Sequence, residues 1–160
     1  MNEDFFKNLK IIGFDFDGTL VDEQYFIKTR WEKVLRQYAF LSPHLEETFF
    51  RIYIQKGSEY KLHLDDALLE LKIDGKHKRS ILDKLKRSTG KDILLEGVKE
   101  LFKVAKDKSL KIGIITDGEK SRQENRIKNT GIYTLLDFIY YSHGKKEQKP
   151  NKKFIRKIFK

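Results

Sequence analysis

An apolar run that ends in two carboxylates two positions apart constrains this chain more than anything else in it. Residues 11–22 read IIGFDFDGTLVD, with Asp15 and Asp17 where the run gives way to a loop at Gly18. A short, continuous apolar stretch bounded by a glycine turn reads as a buried strand of about five residues. Two unpaired carboxylates this close repel each other and resist burial unless a cation, a proton or hydrogen-bond donors compensate them. The pattern therefore calls for a buried strand whose end faces something positive.

The rest of the chain shows what surrounds that strand. Helical periodicity runs from Asp22 to Leu41, where Ile27, Trp31, Val34, Leu35 and Tyr38 fall on one stripe. Ser42-Pro43 reads as an N-cap with proline at the first helical position, leading HLEETFFRIYIQK to a stop at Gly57. SEYKLHLDDALLELKI, closed by Asp74-Gly75, and KHKRSILDKLKR, closed by Gly90, read as two further helices. Alternation then sets in: a helix in EGVKELFKVAKDK, a buried strand in SLKIGIITDG, a helix in EKSRQENRIKNTG and a third strand in LLDFIYYS. Strand, helix, strand with short loops predicts an α/β fold with a parallel sheet. We expect a Rossmann-like core from residues 1–20 and 93–160, with an all-helical cap of residues 21–92 inserted after the first strand. That insertion point lies at the carboxyl end of the sheet, where such folds bind ligands.

Composition narrows the function classes. The 160 residues, 39% hydrophobic and 12% aromatic, suffice for a real core, and with no cysteine neither a disulfide framework nor a thiolate metal site is available. No segment reads as a signal peptide or a membrane span, so the expected location is cytoplasmic, with no membrane partner. The net charge of +10 is spread through amphipathic segments, with a denser cluster only at residues 145–160. Without a stacking platform or a recognition helix, this argues for a lysine-rich surface that attracts small anions and against nucleic acid.

The opening stretch can then be given chemistry. A carboxylate at a strand tip can attack phosphorus and form an aspartyl-phosphate, the role expected of Asp15. A second carboxylate two residues on, Asp17, can protonate a leaving oxygen and later deprotonate water. A hard cation, Mg²⁺, would offset their repulsion, held by the Asp15 side chain and the Asp17 main-chain carbonyl. Gly18 allows the turn and Thr19 is expected to pin it with its hydroxyl. Thr116, Asp117 and Gly118 end the second strand, so that a hydroxyl and N–H groups at a helix entrance can hold phosphate oxygens. Lys149 brings a point charge toward the phosphate and Asp15. A calcium-loop reading fails on spacing: counted from Asp15, Leu20 stands where the loop needs glycine and Phe26 where it needs glutamate.

With these residues in order, the chain resembles the haloacid dehalogenase superfamily of Mg²⁺-dependent phosphohydrolases, in its branch with a helical cap after the first strand. The first motif is Asp15-Phe16-Asp17-Gly18-Thr19, the second is Thr116 within IITDG, and the third is Lys149 within KP. The resemblance spans residues 9–160. It implies phosphate-ester chemistry, because family dehalogenases and phosphonatases lack the acid at Asp17. It also implies a fourth motif, an acidic pair on a strand after the lysine helix, which needs roughly 20 residues beyond Lys149. The sequence stops at Lys160, before that motif and before the strand expected to flank the first one. Three readings stay open: a shortened phosphatase, a chain completed by another subunit or an exchanged strand that covers the sheet edge, and an inactive relative that binds a phosphorylated ligand or partner. Glu23, Tyr25 and Arg30 are candidates for substrate contact from the cap entrance. His44, His63, His77 and His143 share no ligand spacing.

Overall fold

The computed structural model describes residues 9–58 and 60–142, together with Lys149 and Arg156. His143 and the helix expected after Lys149 lie outside the described residues. In chain order the elements are β1 (Ile11–Phe14), α1 (Glu23–Leu35), α2 (Leu45–Lys56), α3 (His63–Glu70) and α4 (Lys76–Arg87). There follow α5 (Val98–Asp107), β2 (Lys111–Asp117), α6 (Lys120–Asn129) and β3 (Phe138–Ser142). The chain divides into two compact units, residues 1–23 with 92–160 and residues 24–91. It is an α/β protein with a Rossmann-like sheet core and an inserted helical cap.

The sheet is parallel throughout, in the order β1-β2-β3, with Gly13 beside Gly113 and Thr116 beside Tyr141. As the middle strand β2 is buried at Ile112, Gly113, Ile114 and Thr116, which explains why its sequence is apolar without alternation. Gly113 is a matter of space: a Cβ there would stand 2.1 Å from the ring of Phe138 on β3. Ile112 and Ile114 pack with Phe16, Leu20, Phe102 and Ile127, and the ring of Phe102 on α5 stacks on Phe14 at 5.6 Å. Where the chain leaves the sheet unit and returns to it, Val21 bridges Leu94, and Asp22 N–H donates to Ile93 O at 3.0 Å.

The helical unit has its own interior, with Val34, Leu35, Leu45, Phe49, Leu64 and Ile81 in its core. Phe49 is fully buried, its ring 4.3 Å from that of Trp31. Trp31, Val34, Leu35 and Tyr38 of the stripe face this core, Ile27 does not join it, and the helix gives way to a 3₁₀ turn at Arg36–Tyr38, short of Leu41. Ser42 does not cap α2. Its hydroxyl oxygen accepts from His44 N–H at 3.2 Å, which ties a turn over the proline and delays the helix to Leu45. Gly57 ends α2 at φ +76°, as its lack of a side chain allows. His63 is buried with Nε2 against Gly57 O at 2.9 Å, so it serves packing in this core. Among the described residues no helix is long and apolar enough to cross a membrane.

Candidate active site

The loop after β1 brings both aspartates to the carboxyl end of the sheet. Asp15 follows the last residue of β1, and its Oδ1 accepts from Phe16 N–H at 2.7 Å, which holds the carboxylate at the strand tip. The turn beyond is tied by the main chain alone: Gly18 N–H donates to Val21 O at 3.1 Å, and Leu20 and Val21 both donate to Phe16 O. Gly18 has φ +68°, the left-handed region that a side chain disfavours. Thr19 differs from expectation. Its side chain has no hydrogen bond among the described residues, because the backbone bonds around Phe16 already close the turn.

Lys149, more than a hundred positions away in sequence, reaches the first aspartate. Its Nζ lies 2.7 Å from Asp15 Oδ1 and also donates to Ile115 O at 3.1 Å, so one end of β2 helps to aim the ammonium group. The Asp15 side chain stays 44% exposed, which leaves it open to a ligand while its charge is partnered.

Asp17 sits in a different environment. Its Oδ2 accepts from Gln123 Nε2 at 2.9 Å. Its Oδ1 stands 2.7 Å from Arg126 Nη1, at ion-pair distance but outside hydrogen-bond geometry, and no other described group bonds that oxygen. The attraction between the charges does not depend on that alignment, so we treat the contact as an ion pair. Both Asp17 oxygens thus face positive or donor groups from α6. Arg126 is in turn clamped by Asp92: Nη2 donates to Asp92 Oδ1 at 2.7 Å, and Nε to Oδ1 and Oδ2 at 3.0 and 3.3 Å. The side chains of Arg126 and Asp92 are 6% and 1% exposed, and burial pushes the Asp92 carboxyl above its ordinary range against the pull of Arg126.

The end of β2 supplies the remaining expected groups. Thr116 is buried, with Oγ1 accepting from Gln123 Nε2 at 2.9 Å and donating to Asp117 O at a long 3.5 Å, a bond that a phosphate oxygen can replace. Asp117 Oδ1 accepts from the Ser142 hydroxyl at the end of β3, consistent with a loop-shaping part. The helix entrance is less open than the sequence suggests. Gly118 N–H donates to Ser142 O at 3.1 Å, and the Glu119 carboxylate caps the N–H groups of Ser121 and Arg122 at 3.0 and 3.1 Å. An acidic N-cap competes for the donors that a phosphate would use.

Gln123 and Arg126 are the residues that the sequence reading missed. They lie three apart in KSRQENRIKN, a stretch that reads as a solvated helix. The only local signal is that they share a face with Ile127.

Comparison with known proteins bears on the family and the fold. The family model described as haloacid dehalogenase-like hydrolase matches residues 12–160. A comparison with curated protein sequences gave no match. Among solved structures the chain is similar to a haloacid dehalogenase-like family hydrolase from Xanthomonas campestris, at 20% identity and TM-score 0.55 over 94% of this chain and 68% of that one. It is similar to the magnesium-bound HAD-hydrolase YfnB from Bacillus subtilis, at 19% identity and TM-score 0.60 over 96% and 72%. It is also similar to a Thermotoga maritima protein assigned as a β-phosphoglucomutase, at 21% identity and TM-score 0.56 over 87% and 66%. At these identities the likeness is one of fold.

Proposed function

The chain belongs to the haloacid dehalogenase-like hydrolase family, and on that footing we propose that it is a cytoplasmic, Mg²⁺-dependent phosphatase acting on a small phosphorylated metabolite through Asp15. One observation carries the reading: a strand-tip carboxylate, half exposed, with Lys149 Nζ at 2.7 Å and a second acid two residues on. Lys149 offsets the charge that gathers as a phosphate approaches Asp15. A carboxylate oxygen of Asp15 attacks phosphorus while the P–O bond to the leaving group breaks, and Asp17 gives its proton to that oxygen. Asp17 then takes a proton from water, whose oxygen attacks the aspartyl-phosphate and releases inorganic phosphate. The Thr116 hydroxyl and Lys149 hold phosphate oxygens through both steps.

The donor set fits Mg²⁺. Among the described residues no three acidic or imidazole side chains converge on one point, and Mg²⁺ commonly takes one or two carboxylates and keeps several waters. Asp15 would supply its side chain. Asp17 would supply its main-chain carbonyl, since both of its carboxylate oxygens face α6. When bound, the ion would polarise the phosphoryl group and neutralise its charge.

The test is turnover of p-nitrophenyl phosphate with Mg²⁺ by the whole chain. Asp15→Asn is expected to lower kcat by about a thousandfold or more, as removal of a nucleophile does. Phosphate binding without turnover would transfer the reading to a ligand-binding relative of such an enzyme.

A further inference from the structure

We propose, resting on the phosphatase reading above, that Gln123 and Arg126, backed by Asp92, are positioning residues for Asp17: they take Oδ1 and one lone pair of Oδ2, and so fix the direction of the remaining Oδ2 lone pair that serves first the leaving oxygen and then the water. Asp17 stands in the turn after β1, and among the described residues no group of that turn bonds its carboxylate oxygens, so none of them selects its orientation. The selection comes from α6. Arginine has no acceptor, so the Gln123 oxygen must be the atom that receives Arg126 Nη1 at 3.0 Å. The amide NH₂ is thereby turned the other way, onto Asp17 Oδ2 at 2.9 Å, Thr116 Oγ1 at 2.9 Å and Asp117 O at 3.0 Å. One amide thus ties the acid–base residue on the first loop to the phosphate-binding hydroxyl on β2.

Arg126 owes its own direction to Asp92. The planar fork lies on that carboxylate through Nε and Nη2, which leaves Nη1 aimed at Gln123 and at Asp17 Oδ1. The guanidinium also stands 5.1 Å over the ring of Phe16, the residue between the two aspartates. A buried ion pair of this kind is a poor stabiliser, and an apolar pair of similar volume commonly serves stability as well or better. What an apolar pair cannot do is aim an amide and a carboxylate. Displacement of a reacting group by about 1 Å costs on the order of a hundredfold in rate, which sets the size of the expected effect.

The deciding variant is Asp92→Leu with Arg126→Met, which removes both charges and leaves neither buried alone. We expect it to stay folded at the assay temperature, although the buried Asp17 Oδ1 loses its ion-pair partner, while kcat for p-nitrophenyl phosphate with Mg²⁺ falls about a hundredfold. KM should fall along with kcat and leave kcat/KM near the wild-type value, because the first step is spared and the phosphorylated chain accumulates. Loss of the aryloxide needs little help from an acid, whereas attack of water needs Asp17. The variant should therefore release a burst of about one p-nitrophenolate per chain and accumulate phosphorylated Asp15. Wild-type turnover in the double variant, or a loss of kcat that only follows unfolding, overturns the proposal. If the wild-type chain does not turn over, the phosphatase reading fails on its own. Crystal structures then decide the positioning: an Asp17 side chain unmoved in the double variant overturns it, and one turned away supports it.

Discussion

The two units bury different things. In the helical unit the interior is apolar and aromatic around Phe49, and its ion pairs, such as Arg51–Glu70 at 44% and 51% side-chain exposure, stand in water. In the sheet unit an arginine and an aspartate lie inside, at 6% and 1% exposure, behind the loop that carries Asp15 and Asp17. Apolar burial stabilises without direction, whereas a buried, fully bonded charge network costs desolvation and fixes geometry. The difference teaches where to look for function in such a fold: not in the unit with the better core, but in the one that tolerates a more expensive interior.

The contrast can be broken at its strongest point first. Phe49→Ala should lower stability by about 3–5 kcal/mol in urea unfolding, the cost of an aromatic side chain removed from a packed core. A loss below about 1 kcal/mol would mean that this interior is not what holds the helices together.

Acid titration examines the other unit. Burial raises the Asp92 carboxyl more than Arg126 lowers it, so the folded chain holds that proton more tightly than the unfolded chain. The stability of the wild type relative to Asp92→Asn should therefore be greatest at low pH and should fall as pH rises through and above the ordinary carboxylate range. Urea midpoints for the two proteins across that range would measure it. A difference that grows with pH would show that Arg126 more than offsets the burial.

The smallest effect belongs to the surface. Arg51→Ala should change the unfolding free energy by roughly 0–1 kcal/mol, as exposed pairs do. A larger loss would sharpen the comparison by showing that the helical unit too depends on charge.

Much of this was legible before any coordinates. The three apolar runs read as strands, and β2, the middle one, is buried as its continuous apolar sequence predicts, whereas β1, also expected to be buried, is only partly so because it has a paired neighbour on one side alone among the described residues. Asp15 and Asp17 were legible because two carboxylates at the end of an apolar strand are costly without a purpose, whereas Thr116 and Lys149, each weak alone, were legible only through their order after successive strands behind Asp15-Phe16-Asp17-Gly18-Thr19. Local competition explains the misses. Ser42 bonds a turn N–H instead of a helix terminus, Thr19 is left over by a turn the backbone closes itself, and Glu119 takes N–H groups expected for phosphate. Each depends on which of several nearby donors wins, and the differences are about the size of one hydrogen bond.

The amino-acid sequence by itself determined the element types, the insertion of a helical block after the first strand, and the identity of the groups at the strand ends. These follow from periodicity and from the solvation cost of charge, both properties of short stretches. Only the tertiary structure supplied the geometry of the expected meeting of Lys149 with Asp15 and decided that Asp92, Arg126 and Gln123 converge on Asp17. Those contacts join residues as many as 134 positions apart, counting from 15 to 149, and a charged side chain carries no mark of its distant partner until folding removes the water between them.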